Sequence, residues 1–288
     1  MRVIAIMNQK GGCGKTTTTV NLADALATNG YRVLLVDLDP QSHSTLALGL
    51  NPGDDERGNL YDVLTAPEGE ADLDAILVSV GENLDVAPSS VVLSALEQKL
   101  ASEQTNSRTL RLDGAIKALP PRFDFILFDC PPNTGLLTFS ALRAATEVII
   151  PLETSSFALD GAQRLLETIS ILSERTGRQP TIRILASLYD GRTRFARKTL
   201  GVIRERYADL CFDTIIRVNV KLREAAANGV PIGRYAPRSN GAFDFAALAI
   251  EVEAESRWEA KSQRKTTPDL DTSIGRPSLV PPIAAVAN

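Results

Sequence analysis

Lys10-Gly11-Gly12-Cys13-Gly14-Lys15-Thr16-Thr17 follows the apolar run Val3 to Met7 and leads into Thr17 to Thr28, where Val20, Leu22, Ala23, Leu26 and Ala27 recur near helical spacing. A glycine-rich turn between a buried strand and a helix is the setting of a phosphate-binding loop. Glycines let backbone N–H groups turn toward an anion with no Cβ in the way, and the helix N-terminus adds a partial positive charge. Lys15 is placed to reach β- and γ-phosphates, and Thr16 offers a hydroxyl to Mg2+. Gly11, Gly12, Cys13, Gly14 and Thr17 complete the candidate ATP cradle. A second lysine, Lys10, opens the loop and departs from the ordinary pattern. Cys13 stands close to a helix N-terminus, which predicts a lowered thiol pKa and blocking of the loop by alkylation.

Outward from the loop, apolar strand runs alternate with helical patterns. Strands are expected at Arg32–Val36, Leu84–Ala87, Phe123–Phe128, Glu147–Pro151, Ile182–Leu188 and Thr214–Ile216. Helices are expected at Asn59–Leu64, Leu73–Val78, Leu93–Leu100, Thr109–Leu119, Gly135–Ala145, Gly161–Glu174, Phe195–Tyr207 and Ala242–Trp258. This alternation implies an α/β fold, a doubly wound, mostly parallel sheet with helices on both faces. Asp37-Leu38-Asp39-Pro40-Gln41 ends one strand and Asp129-Cys130-Pro131-Pro132 another, on the same sheet edge as the loop. Carboxylates there can orient Mg2+, Asp37 and Asp129 being the candidates, and Asp39 can hold an attacking water in line.

Composition narrows the class. A hydrophobic content of 44% with 23% charged residues is that of a soluble globular protein. No run of eighteen apolar residues suggests a membrane span. Cys13, Cys130 and Cys211 are far apart, as reduced thiols in a cytoplasmic protein would be. The net charge of −4 hides an asymmetry: Arg175 to Arg238 holds fourteen basic residues against five acidic ones. Such a segment implies an anionic partner. Residues 259–288 carry four prolines and little periodicity, so the domain is expected to span 1–258, followed by a disordered tail, 259–288.

The residues resemble the ParA/MinD group of deviant Walker P-loop ATPases, within it the short ParA (Soj-like) partitioning proteins. The resemblance spans about residues 1–253 and rests on the loop above, Val36-Asp37-Leu38-Asp39-Pro40-Gln41, Phe128-Asp129-Cys130-Pro131-Pro132 and Val148-Ile149-Ile150-Pro151-Leu152. Weaker stretches are Leu188-Tyr189-Asp190-Gly191-Arg192-Thr193 and Asn219 to Ala225. It implies a chromosome- or plasmid-partition ATPase with ATP and Mg2+ as cofactors and weak intrinsic hydrolysis. It also implies an ATP-dependent homodimer with two nucleotides sandwiched between the copies. Lys10 matches the signature lysine that crosses to the other subunit, Lys15 the Walker lysine, Asp39 the switch aspartate, and Asp37 and Asp129 the Mg2+ shell.

The family's partners are nonspecific double-stranded DNA of the nucleoid and a ParB-like protein that stimulates hydrolysis. The candidate DNA contacts are Arg192, Arg194, Arg197, Lys198, Arg217, Lys221 and Arg223. The arginine in Ile215-Ile216-Arg217-Val218-Asn219 stands one place away from its usual position in short ParA proteins. The variants of this reading are an ATPase that positions a protein cargo and a MinD-like membrane-cycling ATPase. The second needs a basic amphipathic C-terminal helix, whereas the chain ends Leu279-Val280-Pro281-Pro282-Ile283 to Asn288. No membrane partner is therefore expected.

Overall fold

The computed structural model describes residues 1–53, 58–67, 69–103, 105–155 and 158–262. Eight strands among them form one sheet: β1 (Arg2–Ile6), β2 (Val33–Asp37), β3 (Val78–Gly81), β4 (Leu84–Ala87), β5 (Phe125–Asp129), β6 (Glu147–Glu153), β7 (Thr181–Tyr189) and β8 (Cys211–Arg217). Their order is β3-β4-β2-β5-β1-β6-β7-β8, and every neighbouring pair is parallel except β3–β4. The helices are α1 (Lys15–Thr28), α2 (His43–Ala47), α3 (Leu60–Thr65), α4 (Leu96–Lys99), α5 (Thr105–Ala118), α6 (Leu136–Ala144), α7 (Ala158–Thr176), α8 (Arg194–Arg206), α9 (Val220–Ala227), α10 (Ile232–Tyr235) and α11 (Asn240–Ser262).

The central strands are apolar without interruption because both faces are covered. Every residue of β2 and β5 is buried. Successive side chains alternate between faces, so the strands supply two cores. Val3, Ala5, Leu34, Val36, Ile126 and Phe128 join one with Leu64, Leu112, Ala141 and Leu165 of α3, α5, α6 and α7. Ile4, Ile6, Val33, Leu35, Phe125 and Leu127 join the other with Leu22 and Leu26 of α1, Leu222 of α9 and Leu248 of α11. The doubly wound, mostly parallel sheet expected from the sequence is thus present.

Details differ. Leu73–Val78, expected as a helix, is a short 3-10 turn at Asp74–Ile76 that runs into β3. The apolar residues that suggested a helix, Leu73 and Ile76, are buried from the turn instead. Leu93–Leu100 divides into a 3-10 turn, Val91–Ala95, and α4. The short helices α2, α9 and α10 carry too few turns for periodicity to single them out. Met1–Val252 is one compact unit. The expected boundary at 258 falls inside α11, which runs to Ser262. The rest of the expected tail, from 263 on, lies outside the described residues.

Leu127 is fully buried between strands and α1. Leu127→Ala should lower unfolding free energy by about 2–5 kcal/mol, read from urea denaturation; a loss under about 1 kcal/mol would mean that the site collapses around the missing side chain.

Candidate nucleotide site

Register gathers the site. Asp129, the last residue of β5, lies opposite Ile6 of β1 and Asp37 of β2. The phosphate loop leaves β1 beside them, so all three strand ends meet at one edge of the sheet. The loop turns through left-handed backbone at Gly12 and Gly14, with φ of 74° and 95°, which is why glycine is required there. Gly14 caps α1, and the first helical bond runs from Thr18 N to Gly14 O at 2.8 Å. The N–H groups of the turn before it have no intrahelical acceptor and are free for an anion. Ser187 of β7 braces the loop by donating its hydroxyl to Cys13 O at 2.8 Å.

Lys15 is buried, and its ammonium donates to Lys10 O at 3.2 Å. Around it stand three buried carboxylates: Asp37, Asp39 and Asp129. Asp129 accepts from Thr16 Oγ1 at 2.8 Å and from Ser44 Oγ at 2.7 Å. Asp37 accepts from Thr45 N at 2.9 Å, Thr45 Oγ1 at 2.8 Å and Asp39 N at 3.1 Å. Asp39 accepts from Gln41 N at 2.9 Å, and its carbonyl accepts from Ser89 Oγ at 2.7 Å. Burial, with the Asp129 charge next in weight, pushes the Asp37 carboxyl above the ordinary carboxylate range. Burial raises Asp129 as well, against the Ser44 and Thr16 hydroxyls, and the Asp39 charge adds to the rise.

Raised carboxyls beside one ammonium mark a place where a divalent cation would offset the cost of ionising them. Among the described residues no group of three or more His, Cys, Asp or Glu forms a metal cage. Mg2+ keeps waters and takes phosphate oxygens beside one or two protein ligands, so it needs no such cage. Thr16, Asp37 and Asp129 are the residues that could hold it; here Thr16 and Ser44 donate to Asp129, while Thr45 and Asp39 donate to Asp37 and tie α2 to the strand end.

Lys10 points elsewhere. Its ammonium pairs with the Glu153 carboxylate and donates to Ser155 Oγ at 3.1 Å, on an exposed surface. The loop start is fixed by Asn8, whose amide donates to Pro151 O at 2.8 Å and accepts from Lys10 N at 3.0 Å.

Sequence reasoning missed Ser44, Thr45, Ser89, Ser187 and Glu153, all partners of motif residues. Only Ser44 and Thr45 had a signal, two hydroxyls close behind the Asp37–Asp39 cluster. The expected reactivity of Cys13 is corrected: the side chain is 1% exposed and burial pushes its thiol up, outweighing Lys15. His43 is exposed on α2.

The basic candidates follow β7 and β8, whose C-terminal ends lie on this same edge, toward the flank of the sheet. Arg194, Arg197 and Lys198 are exposed on α8, and Lys221 and Arg223 on α9. Arg192 pairs with Asp190 at 2.8 Å, Arg217 with Asp244 at 2.5 Å and Lys221 with Glu224 at 2.7 Å, while Arg197 donates to Gly191 O at 2.5 Å. A cavity of about 460 Å³ between α3 and α5, bordered by Val63, Arg111 and Gly114, contains none of the site residues.

A family model described as an AAA domain matches residues 1–184. Sporulation initiation inhibitor protein Soj of Bacillus subtilis is 41% identical over 255 residues, covering 88% of this chain and 98% of that protein. Chromosome-partitioning ATPase Soj of Treponema pallidum is 38% identical over 255 residues, covering 88% of this chain and 97% of its own. Among solved structures, cobyrinic acid a,c-diamide synthase from Mycobacterium smegmatis, with bound ATP analog and magnesium, superposes with a TM-score of 0.77 at 33% identity, covering 91% of this chain and 96% of that one.

Two outcomes follow from the geometry. Ser44→Ala removes a buried donor to Asp129; stability should fall by about 1–3 kcal/mol, and nucleotide binding should need several-fold more Mg2+ in a titration. An unchanged Mg2+ requirement would separate Ser44 from the site. Under native conditions N-ethylmaleimide should label Cys211, the least buried of the three thiols, ahead of Cys13 and Cys130; mass spectrometry showing Cys13 labelled first would contradict its burial.

Proposed function

Because the chain belongs to the ParA/MinD family of P-loop ATPases, we propose that it is a partitioning ATPase whose ATP-bound dimer holds nonspecific double-stranded DNA and lets go on partner-stimulated hydrolysis. The observation that carries this reading is the division of labour between the two lysines. Lys15 is buried with its ammonium on Lys10 O, near enough to Asp129 to favour its charged form, whereas Lys10 is turned outward to Glu153 and Ser155. An outward lysine at the mouth of the loop suits the phosphates of a facing copy better than those of its own.

Lys15 and the open N-terminal amides of α1 bind and orient the β- and γ-phosphates of ATP. Thr16, Asp37 and Asp129 would hold Mg2+, which when bound would supply positive charge against the charge that builds during transfer. Asp39, seated by Gln41 N and Ser89, holds the attacking water. Lys10 of the second copy adds a positive charge where the transition state needs it, so that hydrolysis waits for dimerisation.

The DNA face is the corner around α8 and α9. Arg194, Lys198 and Arg223 are exposed there, whereas Arg217 is committed to Asp244 through three hydrogen bonds from its Nε and Nη2 atoms. Phosphate contacts of this kind carry no sequence information and weaken with salt. Two copies double the patch, so retention rises steeply with dimerisation. Among the described residues no helix is long and apolar enough to cross a membrane. Whether the cargo is a DNA locus or a protein assembly, the same site chemistry serves, and a ParB-like protein fits as the stimulating partner.

DNA retention measured with ATP, ADP or no nucleotide tests the reading. Lys15→Ala should fail to bind nucleotide productively, Lys10→Ala should bind nucleotide without dimerising, and Asp39→Ala should hold ATP and stay on DNA. Arg194→Glu with Lys198→Glu should keep ATP binding and lose DNA, with a larger effect than Arg217→Ala. Equal DNA binding in every nucleotide state would falsify the switch, and ATP-dependent pelleting with anionic liposomes instead of DNA would favour the membrane-cycling variant.

A further inference from the structure

Helices α2 and α9 end in the same way and end against each other. Gly49 follows α2 with φ of +76°, and Gly229 follows α9 with φ of +67°. Each end closes with the hydrogen bonds of a left-handed glycine cap: Leu50 N to Thr45 O at 3.1 Å and Gly49 N to Leu46 O at 3.0 Å; Val230 N to Ala225 O at 3.2 Å and Gly229 N to Ala226 O at 3.1 Å. The two caps are packed back to back. A Cβ on Gly229 would lie 2.7 Å from Gly49 Cα and 3.0 Å from its N, and a Cβ on Gly49 would lie 3.1 Å from Gly229 O. Gly177, at the end of α7, shows that this is more than a conformational need: it has the same φ of +67°, yet a Cβ there would meet nothing within 4 Å.

The contact joins two functional parts of the molecule. Within α2, Ser44 donates to Asp129, and Thr45 holds Asp37 through its N–H and hydroxyl. Along α9, Lys221 and Arg223 are exposed. Between them stands backbone against backbone, with no side chain to change rotamer and absorb a displacement.

We propose that the Gly49–Gly229 joint transmits the state of the Mg2+-side carboxylates from α2 to the basic helix α9, and that a polyanion on α9 acts back on α2 through the same joint. The proposal rests on the DNA reading above. Gly49 and Gly229 are positioning residues in it, acting through α2 on Asp37 and Asp129. Because coupling between two binding sites is reciprocal, a joint that lets ATP strengthen DNA binding also lets DNA strengthen ATP binding.

The test uses the full chain and a random-sequence DNA duplex. The readouts are DNA affinity with ATP and with ADP, each with Mg2+, and the affinity for a fluorescent ATP analogue with and without DNA. Gly229→Ala adds the clash and backbone strain; Gly229→Asn keeps the clash while tolerating the left-handed backbone; Gly177→Ala adds the same strain with no clash. Both Gly229 variants should lose about tenfold or more in the ratio of DNA affinities between ATP and ADP, along with the effect of DNA on analogue binding. Gly177→Ala should keep both. A Gly229 variant that switches like the wild type overturns the joint alone. A wild type with no ATP–ADP difference removes the DNA reading and the joint together. Should the Gly229 variants not fold, hydrogen exchange on the wild type decides: adding DNA to the ATP-bound protein should slow the amides of residues 43–50, and unchanged exchange there while α9 becomes protected overturns the proposal.

Discussion

Charge imbalance at the end of the sheet is the constraint on which the rest of the structure depends. Parallel strands deliver Asp37 and Asp129 to opposed positions in a fully buried layer, and β2 then places Asp39 two residues on. Carboxylates buried together raise one another's cost, and the Lys15 ammonium offsets part of that cost at Asp129. The surrounding hydroxyls and amides of Thr16, Ser44, Thr45 and Asp39 share out the remaining burden by hydrogen bonding. Such a cluster is poised for cations and for the polyphosphate that accompanies them. It also ties the loop after β1, the loop after β2 and helix α2 into one unit.

How much of this was legible in the sequence varies with the physics behind each part. The phosphate loop was readable because few residue types satisfy its backbone, and because a buried strand and a helix flank it. The central strands were readable because two covered faces leave no room for polar residues. The acidic pairs were readable as strand ends. What the sequence could not show were partners distant along the chain. Ser187 braces Cys13 from far downstream, and Glu153 meets Lys10 across the sheet edge. Gly49 and Gly229 each read locally as helix stops, and their meeting exists only in the fold. Cys13 shows the opposite failure: a local rule, a thiol beside a helix N-terminus, was overruled by complete burial.

The charge asymmetry between segments finds a structural basis. The acidic cluster occupies the middle of the sheet edge, while the basic residues gather where β7 and β8 end at the sheet's flank. Three of the seven candidate cations are partly neutralised by Asp190, Asp244 and Glu224. Exposed ion pairs of this sort are worth little and exchange readily for a phosphate. The buried end of the Arg217–Asp244 pair is different, since Asp244 is 8% exposed at its side chain, and that arginine serves the packing of α11 on β8.

The Lys10–Glu153 pair bears on how two copies would meet. While the ammonium rests on its own Glu153, a solitary copy carries one lysine where the proposed facing pair would have two. Leaving Glu153 is worthwhile for Lys10 only when a stronger anion waits opposite. A triphosphate is such an anion and a diphosphate is a weaker one. Being partly exposed, the resting pair yields readily, so in the proposed facing pair the charge of the anion opposite, rather than the strength of this contact, would decide whether the lysine crosses.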